Sequence, residues 1–174
     1  IAQSKAERRS AELDLLYELE QDAAQATNLD SLMKSVLHWS SKRVSCQSAM
    51  LILHGSHFQT LYYLQNDEGG QEQAQKNTLQ IKNEKFKEIA RDKPYQLYLK
   101  SELTEIEFLE KYVPDEVKNV GIAGLTHDST PIGNLVVINA GGDDDENSES
   151  TDKLLTLIAS QVSRSIATLR GRTE

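Results

Sequence analysis

The stretch VGIAGLTHDSTPIGNLVVINA, residues 120–140, decides how the rest of the chain is read. Two apolar, β-branched runs flank HDST and Pro131. Asp, Ser and Thr ahead of a proline are ordinary turn chemistry, so the segment predicts two strands joined by a tight turn. His127, Asp128 and Ser129 also have the residue types of a hydrolase triad. Triad members must converge, with the base touching both nucleophile and orienter. Three consecutive turn residues point apart, and no GxSxG elbow occurs in the chain. The turn reading stands.

Immediately downstream, TDKLLTLIASQVSRSIATLR (residues 152–170 with Thr151) predicts a long helix. Leu155, Ile158, Val162 and Leu169 form a near-heptad stripe with Ile166 beside it, and Ser150 or Thr151 is placed to cap the start. The connection INAGGDDDENSES, residues 138–150, invites comparison with metal and nucleotide loops. An EF-hand loop needs Gly at its sixth place and Glu at its twelfth; counted from Asp143 these are Ser148 and Leu154. The GG(D/E)EF signature needs an aromatic fifth residue, and here that residue is Asp145. The segment therefore reads as an acidic connector whose charge suits a helix N-terminus, with weak divalent-cation binding as its one residual chemistry.

Upstream, SKAERRSAELDLLYELEQDAAQAT (residues 4–27) lacks Gly and Pro and predicts a first helix. Asn28 or Asp30 can cap a second, SLMKSVLHWSSKRV, with Leu32, Val36, Trp39 and Val44 near one side. SAMLILH and HFQTLYYL, divided by His54-Gly55-Ser56, predict an antiparallel hairpin. QNDEGGQEQAQKNT, residues 65–78, is polar and of low complexity and reads as a loop. NEKFKEIARDK (83–93) and LTEIEFLEKYV (103–113) read as short helices on either side of a strand, YQLYL (95–99). Early and late strands are apolar on both faces, which places them at the centre of a sheet covered on both sides. The expectation is an α+β domain with an antiparallel sheet of about five to six strands. Terminal helices pack on one face, and short helices and loops lie over the other.

At 174 residues the chain is long enough for one domain with a substantial core. Hydrophobic residues make up 38% and charged residues 26%, the balance of a soluble globular domain. The runs AMLIL and LVVI are too short to span a bilayer, so no membrane insertion is expected. A net charge of -8 argues against nucleic-acid partners, which require clustered Lys and Arg. The lone Cys46 excludes an internal disulfide and a CxxC pair, and favours a cytoplasmic setting. A first residue other than Met, with helical segments at both ends, is the pattern of a piece of a longer polypeptide. Residues 1–12 then read as a helical linker, 13–169 as the domain, and 170–174 as the start of a second linker.

The order of elements, the 120–140 hairpin and the closing helix LLTLIASQVSRSIATL resemble the GAF family of small-molecule sensor domains. LLYELEQDAAQATNLDSLMKSVL is similar to that family's paired helices before the first strand. The resemblance implies a PAS-related fold and a non-catalytic sensor of a bacterial signalling protein. It also implies an output module such as a histidine kinase or diguanylate cyclase, a ligand pocket around the middle strands, and homodimers through the end helices. No cofactor is assigned. Bilin-binding relatives attach pigment through a cysteine in the second half of the domain, and none follows Cys46. Relatives that reduce methionine sulfoxide use several cysteines. Of the NKFDE motif of cyclic-nucleotide binders, only Asn139 and Asp152 have counterparts.

Candidate chemistry is sparse. His38, His54, His57 and His127 form no HExxH pair, and His54-Gly55-Ser56-His57 straddles the turn of the expected hairpin, so no metal site is expected, although one imidazole could ligate haem axially. Tyr62, Tyr63, Tyr95, Tyr98 and Phe108 crowd the middle elements, and tyrosine suits an orienting contact to a small ligand. By strand register the expected ligand contacts are Leu51, Leu53, Tyr63, Tyr95, Tyr98 and Ile122. The expected dimer stripe is Leu13, Leu16, Leu155, Ile158, Val162, Ile166 and Leu169, with Ala159, Ser163 and Ala167 permitting close approach. The competing assignment for that stripe is the sheet of the same chain. No catalytic pair is identifiable. A ligand-free dimerisation spacer and a GAF-fold enzyme are the alternative functions.

Overall fold

A computed structural model describes residues 13–14, 16–43, 48–55, 59–66, 69, 72–79, 95–99, 117–138 and 147–173. Helix α1 covers residues 13–14 and 16–24, α2 covers Leu29–Arg43, and α3 covers Asn147–Thr173. The strands are β1 (Ser48–His54), β2 (Gln59–Asn66), β3 (Glu72–Leu79), β4 (Tyr95–Leu99), β5 (Asn119–His127) and β6 (Thr130–Ile138). They form one sheet in the order β3-β2-β1-β6-β5-β4, antiparallel at every pairing. This is the expected α+β architecture.

The 120–140 stretch folds as its sequence demands. β5 and β6 pair down to His127 and Thr130, leaving a two-residue loop. Its residues, Asp128 and Ser129, have φ of 50° and 67°. Two left-handed residues in a two-residue hairpin make a type I′ turn, whose twist matches that of the strands. The ladder slips between Leu125 and Thr126, and the slip is tied to α3. Ser163 Oγ accepts the Thr126 N–H at 3.2 Å and donates to the Ala159 carbonyl at 2.6 Å.

β1 and β6 lie at the middle of the sheet and are buried on both faces, which explains their lack of polar alternation. Ala49, Leu51, Leu53, Leu135 and Val137 face the helices. Met50, Ile52, Val136 and Ile138 belong to a separate apolar cluster on the second face. At Gly133 a Cβ would overlap the Ile52 carbonyl, so the two central backbones approach as closely as they do only because position 133 has no side chain.

The helix-side core joins Leu19 of α1, Leu32, Met33, Val36, Leu37 and Trp39 of α2, and Leu155, Ile158, Val162, Ile166 and Leu169 of α3. Asn28 caps α2: its Oδ1 accepts the Ser31 N–H at 2.8 Å. The Ser31 hydroxyl accepts the Thr27 and Asn28 amides in return, a capping box with Ser in place of Glu. α3 begins at Asn147, so Ser150 and Thr151 lie inside the helix rather than at its cap.

One expected loop is a strand. Residues 72–78 of the polar segment, with Leu79, form β3, which pairs with β2 from Gln59↔Leu79 to Asn66↔Glu72. As an edge strand, β3 keeps most of its side chains in water, so its ladder hydrogen bonds carry the pairing without an apolar face. The expected helices at 83–93 and 103–113 lie outside the described residues, as do Val44, Cys46, His57, Phe108 and the connector at 139–146. No helix among the described residues is long and apolar enough to cross a membrane.

Candidate functional site

The second face of the sheet is built from alternate residues of its central strands: Met50 and Ile52, Leu61, Val120 and Ile122, Val136 and Ile138, with Val117 alongside. Tyr63 and Tyr98 pack partly buried against this cluster. One corner breaks the apolar pattern. His54 at the end of β1, Gln59 at the start of β2 and Asn134 of β6 are all buried and polar. Their parity along the strands matches Ile52, Leu61 and Val136, and His54 is the direct cross-strand partner of Gln59. Asn134 Nδ2 donates to His54 Nε2 across 3.2 Å. Burying three polar side chains in an apolar face is costly unless they are bonded, so this corner is where the face can discriminate between ligands by hydrogen bonding.

His54 also ties this corner to the last helix. Arg170 of α3 donates from its guanidinium to the His54 carbonyl at 3.5 Å. One residue thus places its side chain on the second face and its carbonyl within reach of an α3 side chain.

The six expected ligand contacts do not share a surface. Tyr63, Tyr98 and Ile122 belong to the second face, whereas Leu51, Leu53 and Tyr95 are buried under the helices. The reason is parity: shifting the register by one residue exchanges Leu51 and Leu53 for Met50 and Ile52. Tyr95 lies across Gly121, where a Cβ would overlap its hydroxyl. The same parity rule, applied to SAMLILH, puts Met50, Ile52 and His54 together, so the polar corner had a sequence signal that residue type alone conceals.

Of the expected dimer stripe, Leu155, Ile158, Val162, Ile166 and Leu169 are spent on the helix-side core of the same chain. Ala159 and Ser163 are buried with them, so their small size serves the approach of α3 to its own sheet. Leu16 is half-buried and Leu13 is 60% exposed. His127 is exposed and faces Asp128 at 3.4 Å. Among the described residues no group of three or more His, Cys, Asp or Glu side chains could hold a metal ion.

A polar clip links α2 to the strands at the opposite edge. Asp30 accepts the Tyr62 hydroxyl at 2.7 Å and the Lys76 ammonium at 3.1 Å. The Tyr62 hydrogen bond, then Lys76, hold the Asp30 carboxyl below its ordinary range. Burial first, and the bond to Asp30 second, raise the Tyr62 phenol above its own. The clip joins residues 46 apart in sequence, and its Lys76 sits on the strand that composition hides.

A groove of about 360 Å³ separates α1 from the C-terminal half of α3. Ala23, Ala24 and Ala26 form one wall with Glu20; Gln161, Arg164, Ser165 and Thr168 form the other.

Terminal helices on one face of a six-stranded antiparallel sheet, with a second apolar face left for other cover, define a layered α+β architecture. The particular fold is that of a GAF domain. The GAF domain of a phosphoenolpyruvate-protein phosphotransferase from Coxiella burnetii superposes with a TM-score of 0.69 at 13% identity, covering 93% of this chain and 96% of that one. Its Acinetobacter counterpart gives 0.63 at 16% identity, covering 91% and 94%. The chromophore-binding domain of a bacteriophytochrome from R. palustris gives 0.63 at 9% identity, covering 93% of this chain and 62% of that one. At such identities the likeness is one of fold. No protein-family model and no curated protein matches the sequence.

Proposed function

We propose that this chain is a non-catalytic sensory or regulatory domain of a larger cytoplasmic, bacterial-type signalling protein. In this reading residues 13–169 are the sensor and the segments at either end are joints to its neighbours. A small molecule binds on the second face, oriented by the His54, Gln59 and Asn134 corner. The signal leaves through α1 and α3 toward an output module, with a histidine kinase or a diguanylate cyclase as the leading candidates.

The observation that carries this reading is the double attachment of His54, through Asn134 to the second face and through Arg170 to α3. A ligand that displaces Asn134 from the imidazole shifts the end of β1, and Arg170 bears on that end. Ligands that bind only the folded state raise its stability, by about 2.7 kcal/mol at a hundredfold excess over Kd. A thermal-shift screen with nucleotides, amino acids and haem is therefore the direct test. The expected hit stabilises the wild type and loses its effect in Asn134→Ala. No stabilisation by any compound would leave the ligand-free spacer as the better account.

A further inference from the structure

His54 joins two parts of the molecule, and the chemistry of its side chain makes that joint sensitive to protons. The Asn134 amide nitrogen carries two hydrogens and cannot accept. Its 3.2 Å contact with His54 Nε2 is therefore a hydrogen bond only while Nε2 holds a lone pair, which makes the imidazole neutral with its hydrogen on Nδ1. Protonation puts hydrogen on both ring nitrogens and sets donor against donor across that contact. The amide must then turn over, so that Asn134 Oδ1 accepts from Nε2 and Nδ2 points away. Two further features oppose a charged ring. His54 is 7% exposed and shares its face with Ile52, Leu61 and Val136, where a cation is poorly solvated. Gln59 of β2 and Asn134 of β6 are uncharged, whereas α3 brings the guanidinium of Arg170 to the His54 carbonyl at 3.5 Å. A second positive charge on the residue that Arg170 holds works against that bond.

We propose that this corner is a proton switch. A proton taken from solvent by His54 turns the Asn134 amide over and loosens the end of α3 that Arg170 holds, so mildly acid pH is itself a signal the domain reads. The apolar stripe through Leu169 stays packed in the core, and the loosening is confined to the last turn of the helix, residues 170–173. The inference rests on the reading that the corner communicates with α3, and it needs no small molecule. Histidine suits the task because its ordinary titration, at about pH 6.5, lies next to physiological pH.

Long-range proton–nitrogen NMR spectra of the whole labelled chain test it, with the His54 signals identified by their loss in His54→Gln. At about pH 7.5 the ring should carry hydrogen on Nδ1 and none on Nε2. Between about pH 8 and about pH 4.5, which brackets the ordinary histidine range, His54 should take up a proton. The Asn134 side-chain amide signals should move with the same midpoint. Hydrogen-exchange protection of residues 170–173, corrected for the intrinsic effect of pH on exchange, should fall at least about tenfold across that midpoint. His54→Gln should hold this protection constant over the same range. Arg170→Gln, which keeps a donor without the charge, should reduce the pH response at least about threefold. Hydrogen on Nε2 at neutral pH would overturn the proposal, as would a ring that stays neutral throughout. So would a titrating His54 with the protection of α3 unchanged, or a wild-type response that survives in His54→Gln. If a variant fails to fold, the wild-type titration decides alone. A compound that stabilises the wild type but not Asn134→Ala supports the small-molecule reading whichever way the titration falls, so the two can fail separately.

Discussion

Replacing Ser163 by Ala removes one oxygen and should cost more than any other hydroxyl deletion on α3. Ser163 is buried, and its hydroxyl is the acceptor for the Thr126 amide at the slip in the β5–β6 ladder. Without it that amide loses its partner at the helix–sheet boundary, a penalty of about 1–3 kcal/mol. Two gains oppose the loss. Ala is the better helix former by roughly 0.5 kcal/mol, and the back-bond from Ser163 to the Ala159 carbonyl, which competes with helix geometry, disappears. The net expectation is a destabilisation of about 1–2 kcal/mol. With a urea m-value of about 2 kcal/mol/M, the unfolding midpoint falls by about 0.5–1 M at unchanged slope. Trp39, the single tryptophan and buried in α2, reports the transition by fluorescence. Ser165→Ala is the control, because its hydroxyl donates to the Gln161 carbonyl one helical turn back. It should change stability by no more than about 0.5 kcal/mol in either direction. Equal midpoints for the two variants would refute the reasoning, and the Ser163–Thr126 bond would then be incidental.

Three further perturbations follow from the same geometry. Gly133→Ala forces a Cβ onto the Ile52 carbonyl; backbone cannot rotate aside, so a loss of about 1–3 kcal/mol is expected in urea titration, toward the upper end. Ser129→Gly relieves a φ of 67°. Set against the added freedom of the unfolded chain, a gain of about 0.5–1 kcal/mol is expected, visible as a higher melting temperature. The Asp30–Tyr62 bond makes stability fall at both ends of the pH range, by opposite routes. Asp30 has a lowered folded pKa, so its contribution is present above the unfolded value of about 4 and is lost as pH falls through the folded one. Tyr62 has a raised folded pKa, so its contribution is complete below about 10 and is lost as pH rises beyond. Asp30→Asn should flatten the acid limb and Tyr62→Phe the alkaline limb of a melting-temperature profile. Because the Asp30 and Lys76 side chains are 49% and 47% exposed, the acid effect should stay below about 1 kcal/mol.

The strands that the sequence shows clearly are those buried on both faces. SAMLILH, VGIAGLTH and TPIGNLVVI have no polar alternation because helices cover one side of them and the second cluster occupies the other. Sequence patterning detects burial, and these segments are buried. β3 gives the converse case. EQAQKNTL at the sheet edge has side chains mostly in water, and its eight ladder pairs with β2 come from backbone groups that every sequence possesses. A specific contact of this strand, the reach of Lys76 to Asp30, joins distant residues and cannot be read from either segment alone.

The candidate site follows the same rule at finer grain. Residue type puts six residues forward as ligand contacts, but parity along each strand decides which face a residue joins: Tyr63, Tyr98 and Ile122 fall on the second face, and Leu51, Leu53 and Tyr95 under the helices. The helices pose this problem as an angle. The apolar stripe of α3 proves that something covers it, without saying whether that is the chain's own sheet or another molecule. The structure assigns Leu155, Ile158, Val162, Ile166 and Leu169 to the sheet. Leu157 is exposed on the neighbouring stripe, two residues along in phase, which it shares with Gln161, Arg164 and Thr168. Composition draws the eye to the more hydrophobic face of a two-faced helix, and here that face belongs to the chain's own core.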